Sequence, residues 1–340
     1  MSQAATSVVR VTAPHSFDVA GIGNALVDVL AHHDDGFLAE HGMAKGRMEL
    51  IDTETAERLY AAIGTGLEMS GGSAANTIAG VASFGGRAAY LGRVHDDELG
   101  AVFAHDMRST GVHFSTKPSV DGPPTGRCLI VVTPDAERTL NTYLGASEFF
   151  CPDDVDAEVI RTSKVTYLEG YLFDRPESKD AYWAATEIAH SADREVALTL
   201  SDLFCVERHR DDLLELIKDR VDIIFANESE AFALWDCDDI DTAARRAKDD
   251  VAIACITRSE KGSIVVRGDD VHEVPAHPVE HLVDTTGAGD LYAAGFLYGY
   301  THDHSLPDCG RLGSLAAAAV LGHTGARPGL SLAQFVELLD

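Results

Sequence analysis

The sequence is short of basic residues and of any segment that would place it in or on a membrane. Its 340 residues include 27 Lys and Arg against 55 Asp and Glu, a formal net charge of −28. Nucleic acids and anionic membranes bind concentrated Lys and Arg, so we expect neither as a partner. No apolar run reaches membrane-spanning length, and residues 1–16, interpreted as a loose leader, lack the basic-then-apolar order of a signal peptide.

Cysteine pairs and several common catalytic signatures are also missing. The six cysteines are scattered without a Cys-x-x-Cys pair. A chain of this length can bury a core without disulfides, so we expect reduced thiols and a cytoplasmic location. The sequence contains no Gly-x-x-x-x-Gly-Lys-Ser/Thr, no His-Glu-x-x-His and no Gly-x-Ser-x-Gly. A P-loop enzyme and the simplest metalloprotease and hydrolase classes are therefore disfavoured.

Apolar segments of strand length alternate with helical patterns along most of the chain. This order predicts an α/β fold with a mainly parallel sheet covered by helices on both faces. The first strand, 17–22, is predicted to continue past a glycine bulge, which would place Asp28 near a strand end. Residues 32–52 suggest β structure, and 128–133 with 139–144 suggest a hairpin.

The most informative stretch is Asp284-Thr-Thr-Gly-Ala-Gly-Asp290, a glycine turn that opens a helical pattern. The first N–H groups of such a helix lack intrahelical partners and form an anion site. A carboxylate beside them can take a proton from a hydroxyl while the N–H groups hold a phosphoryl group. An isolated motif of this kind is more often a simple turn with an acid that favours the helix start.

Two further motifs change that balance, Gly71-Gly72-Ser-Ala-Ala-Asn76 and Asn227-Glu-Ser-Glu230. Together with 284–290 they resemble, in order and spacing, the PfkB (ribokinase-like) family of carbohydrate and nucleoside kinases, over about residues 17–330. The resemblance implies a central mainly parallel sheet flanked by helices, with a small β-sheet lid. It implies a large domain of 17–31, 53–112 and 146–340 and a lid of 32–52 and 113–145.

By this resemblance, Asp290 is the base, and the N–H groups of Gly287, Ala288 and Gly289 form the anion hole. The residues implied on the ATP side are Asn227, Glu230, Thr257, Gly262 and Thr286. Asn227 and Glu230 would organise Mg²⁺ through water, although a helix cap followed by a surface acid is the alternative interpretation. A K⁺ site near Asp284, Thr286 and Gly325 is a further implication.

The motif Gly71-Gly72-Ser-Ala-Ala-Asn76, which we call the first signature, and the segment Gly23-Asn24-Ala-Leu-Val-Asp28 are similar to the adenosine kinase-like branch of the family. The residues implied on the acceptor side are Asp28, Gly71, Gly72, Asn76, Arg138 and Leu140. Asp28 would accept hydrogen bonds from ribose hydroxyls, and Arg138 would offset the negative field near the phosphates. The alternative interpretation of Asp28 is a solvated acid at a strand end, and that of Arg138 is an exposed arginine of the hairpin.

The implied activity is ATP-dependent phosphorylation of a nucleoside 5′-hydroxyl, with adenosine as the first candidate. A PfkB sugar kinase, an inosine or guanosine kinase, and a nucleoside-binding regulator without catalysis are the alternatives. The sequence leaves open whether the chain is a monomer or a homodimer, which residues contact the base, and what residues 146–220 contribute.

Overall fold

The computed structural model describes residues 16–135, 137–323 and 325–339, so the predicted leader lies outside it except for its last residue. The strands are β1 (Phe17–Ile22), β2 (Leu26–His32), β3 (Met48–Leu50), β4 (Leu67–Gly71), β5 (Ala88–Leu91), β6 (His113–Phe114), β7 (Gly126–Val132), β8 (Arg138–Tyr143), β9 (Ser163–Glu169), β10 (Glu195–Thr199), β11 (Ile223–Asn227), β12 (Ile253–Thr257), β13 (Ser263–Arg267) and β14 (Asp270–Val274). The α-helices are α1 (Asp35–His41), α2 (Thr53–Ile63), α3 (Ser73–Ser83), α4 (Glu98–Ser109), α5 (Ala157–Thr162), α6 (Pro176–Ser191), α7 (Leu203–Arg220), α8 (Glu228–Trp235), α9 (Ile240–Asp250), α10 (Ala288–Thr301) and α11 (Leu306–Leu321).

The larger sheet is nine-stranded in the order β14-β13-β12-β11-β10-β9-β1-β5-β6. Its strands run parallel from β6 across to β12, and β13 and β14 add an antiparallel edge. The apolar residues of β5 and, after Phe17, those of β1 are buried, as a parallel sheet with helices on both faces requires. The predicted α/β class and the ribokinase-like architecture are confirmed.

The parallel strands bring several polar side chains to one edge of this sheet. Asn24 follows β1, while Glu169, Asn227 and Thr257 are the last residues of β9, β11 and β12. In open α/β sheets, ligands bind outside the carboxyl ends of the strands. This edge is therefore where a site is expected.

A second, five-stranded sheet of order β3-β8-β7-β2-β4 covers that edge. The predicted hairpin is present as antiparallel β7 and β8. One face of this sheet carries a small apolar cluster of Cys128, Ile130 and Val132, with Leu30 and Leu140 packed against it. We call this sheet the lid sheet.

The path of the chain after β1 differs from the prediction. Instead of continuing past Gly23, β1 ends at Ile22, and β2 begins at Leu26 in the lid sheet, beside Gly71 and Gly126. Residues 26–31 and β4 therefore belong to the lid sheet rather than the larger one, whereas β6 pairs with β5. The apolar run hides this break, because its composition is the same on both sides of it.

The predicted β structure at 32–52 is also wrong in part, because α1 lies there. Asp34 caps the helix by accepting a hydrogen bond from the N–H of Phe37, and Gly42 ends it with φ of 69°. Both are ordinary helix signals, an Asp N-cap and a left-handed glycine. Asp52 caps the next helix, α2, in the same way by accepting a hydrogen bond from the N–H of Thr55.

Candidate active site

A cavity of about 460 Å³ lies between the lid sheet and the carboxyl edge of the larger sheet. It is lined from both sides, so neither sheet forms it alone. The residues predicted from the sequence that line it are Asp28, Gly72, Asn76, Leu140, Asn227, Glu230, Thr257, Thr286, Gly287, Gly289 and Asp290.

The glycine turn before α10 has the geometry that an anion hole needs. Gly287 has φ of 80°, and a Cβ there would lie 2.7 Å from the carbonyl oxygen of Ala326, so glycine is required. Among the described residues, the N–H groups of Gly287 and Gly289 have no acceptor, and that of Ala288 makes one long bond of 3.3 Å to the Thr285 carbonyl. These amides are available to an anion at the positive end of α10.

Asp290 lies in the first turn of α10, facing the cavity. Its Oδ1 accepts a hydrogen bond from the Ser73 hydroxyl at 2.6 Å, and its Oδ2 accepts one from Asn76 Nδ2 at 3.1 Å. Burial raises the pKa of Asp290 to about 6, while the two hydrogen bonds oppose that rise. A carboxylate with this pKa is ionised at neutral pH and more basic than an ordinary aspartate, as a general base should be.

Asp28 faces the same cavity from β2. Its carboxylate packs against the backbone of Gly71, where a Cβ would lie 2.4 Å from it. Within the described ranges, no protein donor bonds to this carboxylate, and burial raises its pKa to about 6 against the opposing charges of Arg327 and Arg138. An acceptor of this kind, open to the cavity, suits a ligand that brings hydroxyl donors.

Glu169 is a site residue to which the sequence assigned no role. Its side chain is 1% exposed and accepts hydrogen bonds from Asn24 N, Asn24 Nδ2 and Ala74 N at 3.2, 2.8 and 2.7 Å. It therefore ties the first turn of α3 to the end of β1. Burial raises its pKa to about 7, against those hydrogen bonds. A polar residue at the end of an apolar strand was the available signal.

Asn227 and Glu230 form a capping box at the start of α8. Asn227 Oδ1 accepts from Glu230 N, Glu230 Oε2 accepts from Asn227 N, and Glu230 Oε1 accepts from Asn227 Nδ2. The helix cap is therefore confirmed, but the surface-acid part of that alternative is wrong, because Glu230 is 5% exposed and both side chains line the cavity. Burial raises the pKa of Glu230 to about 7.

This pair fits Mg²⁺ only through water. The described residues contain no group of three or more His, Cys, Asp or Glu side chains placed to hold a metal ion. Mg²⁺ usually keeps several waters and needs few protein ligands when phosphates supply the rest. One carboxylate and one amide facing the cavity are compatible with that mode of binding.

Thr257 and Gly262 have different positions. Thr257 lines the cavity at the end of β12. Gly262 is not part of the cavity wall: its φ is 84°, and a Cβ there would lie 2.0 Å from the Val274 carbonyl oxygen. Its glycine is explained by the close passage of residues 274–276, so a nucleotide contact at Gly262 remains a prediction.

Arg138 reaches from the tip of β8 to the motif that precedes α10. Its side chain is 11% exposed and forms an ion pair with Asp284, with a second bond of 3.3 Å to Thr286 Oγ1. The exposed-arginine alternative is therefore wrong. Asp284 also accepts from Thr286 N, Thr286 Oγ1 and Gly325 N, and these contacts outweigh its burial and hold its pKa below the ordinary value.

These contacts leave no lone pair of the Asp284 carboxylate for a K⁺ ion, so a K⁺ site here would need other oxygen ligands and remains a prediction. A carboxylate offers about four lone-pair sites, and Asp284 receives donors from Thr286, Gly325 and Arg138. The predicted residues are brought together, but a guanidinium provides the positive charge beside them.

Part of the cavity is lined by apolar and aromatic side chains. Met48, Leu50 and Leu140 line it from the lid sheet, and Tyr171 and Phe204 line it from the larger domain. Met48, Leu50 and Phe204 are 51%, 56% and 58% exposed, which is unusual for large apolar side chains. A flat apolar group could lie between the two sets.

One lidded cleft contains a carboxylate that can act as a base, a row of available amides and an acid that can accept hydrogen bonds from hydroxyl groups. Together these groups define a phosphotransferase that acts on a hydroxyl group. The family comparison agrees: the pfkB family carbohydrate kinase model matches residues 48–332, and the chain belongs to that family. No helix among the described residues is both long and apolar enough to cross a bilayer.

Individual relatives point the same way. The structure of an adenosine kinase from Sinorhizobium meliloti is 54% identical, with a TM-score of 0.87, covering 96% of this chain and 100% of that one. A probable sugar kinase protein from Rhizobium etli CFN 42 is 49% identical with a TM-score of 0.87, covering 96% and 99%. Adenosine kinase of Saccharomyces cerevisiae is 28% identical over 326 residues, covering 89% of this chain and 94% of that protein.

Proposed function

We propose that the chain transfers the γ-phosphoryl group of ATP to the 5′-hydroxyl of a nucleoside, with adenosine as the preferred acceptor. The observation that carries the proposal is that Asp28 and Asp290 face one cavity that apolar and aromatic side chains also line. Ribose would lie between the two carboxylates and the base between Phe204 and the lid. The adenosine kinases among the relatives support this choice.

In this proposal, each acidic residue has a separate task. Asp28 accepts hydrogen bonds from the vicinal hydroxyls of ribose, which a charged acceptor binds strongly. Gly71 and Gly72 allow the sugar to approach the backbone closely, and Asn76 lies beside it. Asp290 takes the proton of the 5′-hydroxyl as that oxygen attacks the γ-phosphorus, whose bond to the β–γ bridging oxygen breaks and releases ADP. The proton then resides on Asp290, whose raised pKa favours its acceptance.

The transferred phosphoryl group is held by the N–H groups of Gly287, Ala288 and Gly289. Phosphoryl transfer depends mainly on positioning and charge stabilisation. A positioned general base contributes ~10²–10⁴ in rate, and the loss of one such donor costs ~10²–10³. The amides and Asp290 therefore carry comparable shares of the catalysis.

The ATP side combines Thr257, Thr286, Asn227 and Glu230. When bound, Mg²⁺ neutralises charge on the phosphates, and Asn227 with Glu230 would hold it through its waters. Arg138 supplies a further cation in a strongly acidic chain. Its Nε is buried without a hydrogen-bond partner among the described residues, which supports a phosphate contact once ATP arrives.

A kinase acting on a free sugar is the second candidate, because the 49% identical structure is that of a probable sugar kinase protein. A free sugar would leave the space beside the apolar lining residues empty. That unfilled space favours a nucleoside.

The test is a panel of adenosine, inosine, guanosine, cytidine, ribose and fructose, assayed for ADP release with Mg-ATP. Highest kcat/KM for adenosine, with AMP as product, supports the proposal. Preference for a free sugar contradicts it. Nucleoside binding without ADP release would instead indicate a regulator. Running each assay with and without K⁺ tests the predicted K⁺ site, and the contacts of Asp284 predict little stimulation.

A further inference from the structure

Arg327 lies behind the cavity wall, next to Ala326, and belongs to no motif used above. Its side chain is 16% exposed. Its Nε donates to Asn76 Oδ1 at 3.3 Å, its Nη1 donates to Asp106 at 3.1 Å, and its Nη2 lies 3.6 Å from Met107 Sδ. The three nitrogens of one guanidinium therefore have three different partners. This arrangement uses the planar fork that distinguishes arginine from lysine.

The contact with Asn76 decides which way that amide faces. A guanidinium can only donate, so the atom of Asn76 that it contacts must be the oxygen. The NH₂ group of Asn76 then points the other way and donates to Asp290 Oδ2. Without Arg327, Asn76 Oδ1 would lose its donor, and the amide could rotate so that its NH₂ group no longer points at Asp290.

The contact with Asp106 joins Arg327 to the first signature by a second route. Asp106 also accepts hydrogen bonds from the N–H and the hydroxyl of Ser70, next to Gly71. Arg327 thus supports both the strand on which Asp28 packs and the helix that carries Asn76. Its charge also opposes the burial that raises the pKa of Asp28.

We propose that Arg327 is a positioning residue for phosphoryl transfer: it fixes the orientation of the Asn76 amide, and through it the lone pair that Asp290 presents to the acceptor hydroxyl. The inference rests on the proposed role of Asp290 as base. Asp290 and Asp28 face each other. The other charged and titratable groups that face one or the other of them are Glu169, Tyr167, Tyr171, Cys128, Arg138 and Arg327.

Three variants of the whole chain distinguish the effect of losing the planar guanidinium fork from the effects of losing its charge and of losing stability. Arg327→Met keeps the bulk and removes both fork and charge, while Arg327→Lys keeps the charge alone. Arg87→Met is the matched control, because Arg87 pairs with the buried Asp18 at the opposite end of the larger sheet. Measured quantities are kcat and KM for adenosine with Mg-ATP, the pH profile of kcat/KM, and the melting temperature.

We expect kcat to fall about 10²-fold in both Arg327 variants, with a smaller change in the KM for adenosine. The pKa of Asp28, which the charge of Arg327 lowers, should rise in Arg327→Met and move the acid limb of the pH profile up by roughly one unit, whereas Arg327→Lys, which retains the charge, should stay near the parent. Arg87→Met should lower the melting temperature without either kinetic change.

A parent-like kcat in Arg327→Lys overturns the inference, because the fork is what the argument requires. An equal kcat loss in Arg87→Met at a similar loss of stability also overturns it. If Arg327→Met does not fold, Arg327→Lys alone decides. Asp290→Asn distinguishes the two proposals. Activity in that variant refutes the proposed role of Asp290 as base. An inactive Asp290→Asn together with a parent-like Arg327→Lys refutes only the positioning role of Arg327.

Discussion

Asp290→Asn is the substitution that tests the proposed chemistry most directly. The amide has the size of the carboxylate, and it can accept from Asn76 with its oxygen and donate to the Ser73 hydroxyl with its NH₂ group. Both observed contacts of Asp290 therefore have a replacement. The amide cannot take up the proton of the acceptor hydroxyl. We expect kcat to fall ~10²–10⁴-fold, with the KM for adenosine nearly unchanged.

The same substitution should stabilise the fold at high pH. The folded-state pKa of Asp290, about 6, lies above its ordinary 3.8, so ionisation opposes folding. The penalty is absent below the ordinary value, grows as the pH rises, and is complete above the folded-state pKa. The difference corresponds to about 3 kcal/mol at most, and solvent at the cavity mouth reduces it to roughly 1–2 kcal/mol.

Thermal unfolding and steady-state kinetics check both parts. The melting temperature of Asp290→Asn should exceed that of the parent at pH 8 by a few degrees, and the two should coincide near pH 4. Asp211→Asn, at a side chain that is 96% exposed, is the control for removing a negative charge. Parent-like kcat in Asp290→Asn refutes the reasoning, as does a stability gain that does not depend on pH.

Three further outcomes follow from the site and the composition. Asp28→Asn should raise the KM for adenosine ~10–100-fold, because a hydrogen bond to a charged acceptor is lost; the variant should also discriminate less against 2′,3′-dideoxyadenosine, and an unchanged preference would contradict the ribose contact. Gly287→Ala should lower kcat ~10²-fold or more, because the new Cβ meets Ala326. Gly85→Ala, at φ of 96° with open space around it, is the control, since it should show strain without loss of kcat. Raising KCl or NaCl from 0.1 to 1 M should raise the melting temperature by a few degrees with either salt, because a net charge of −28 repels itself and the Debye length shrinks from about 10 to about 3 Å; an effect confined to KCl would indicate specific binding instead.

Local signals explain which parts of the fold and site could be predicted. The turn at Gly287 and the helix after it depend on neighbouring residues, so the sequence contained the information. The lid hairpin and most strands followed from period and turn chemistry. The caps of α1 at Asp34 and Gly42 were equally visible, but the polar and apolar alternation of the same stretch favoured strands.

Other features depend on contacts that no local pattern contains. The break after β1 follows from pairing with Gly71 and Gly126, both far along the chain. The buried contacts of Glu169 join residues 95 and 145 positions apart. The Asp284 carboxylate was predicted beside a K⁺ ion, yet its partner from the lid is Arg138. Such pairings are set by topology, which residue composition does not reveal.

The bond between Arg327 and Asn76 links positions separated by 251 residues. During translation, the first signature, to which we assign sugar binding, leaves the ribosome long before the loop that supports it. A nascent or prematurely terminated chain would therefore have the proposed sugar-binding residues but an unsupported Asn76 amide. Contacts so distant in sequence also close slowly. We expect activity to appear late in refolding, after most of the helix signal has returned.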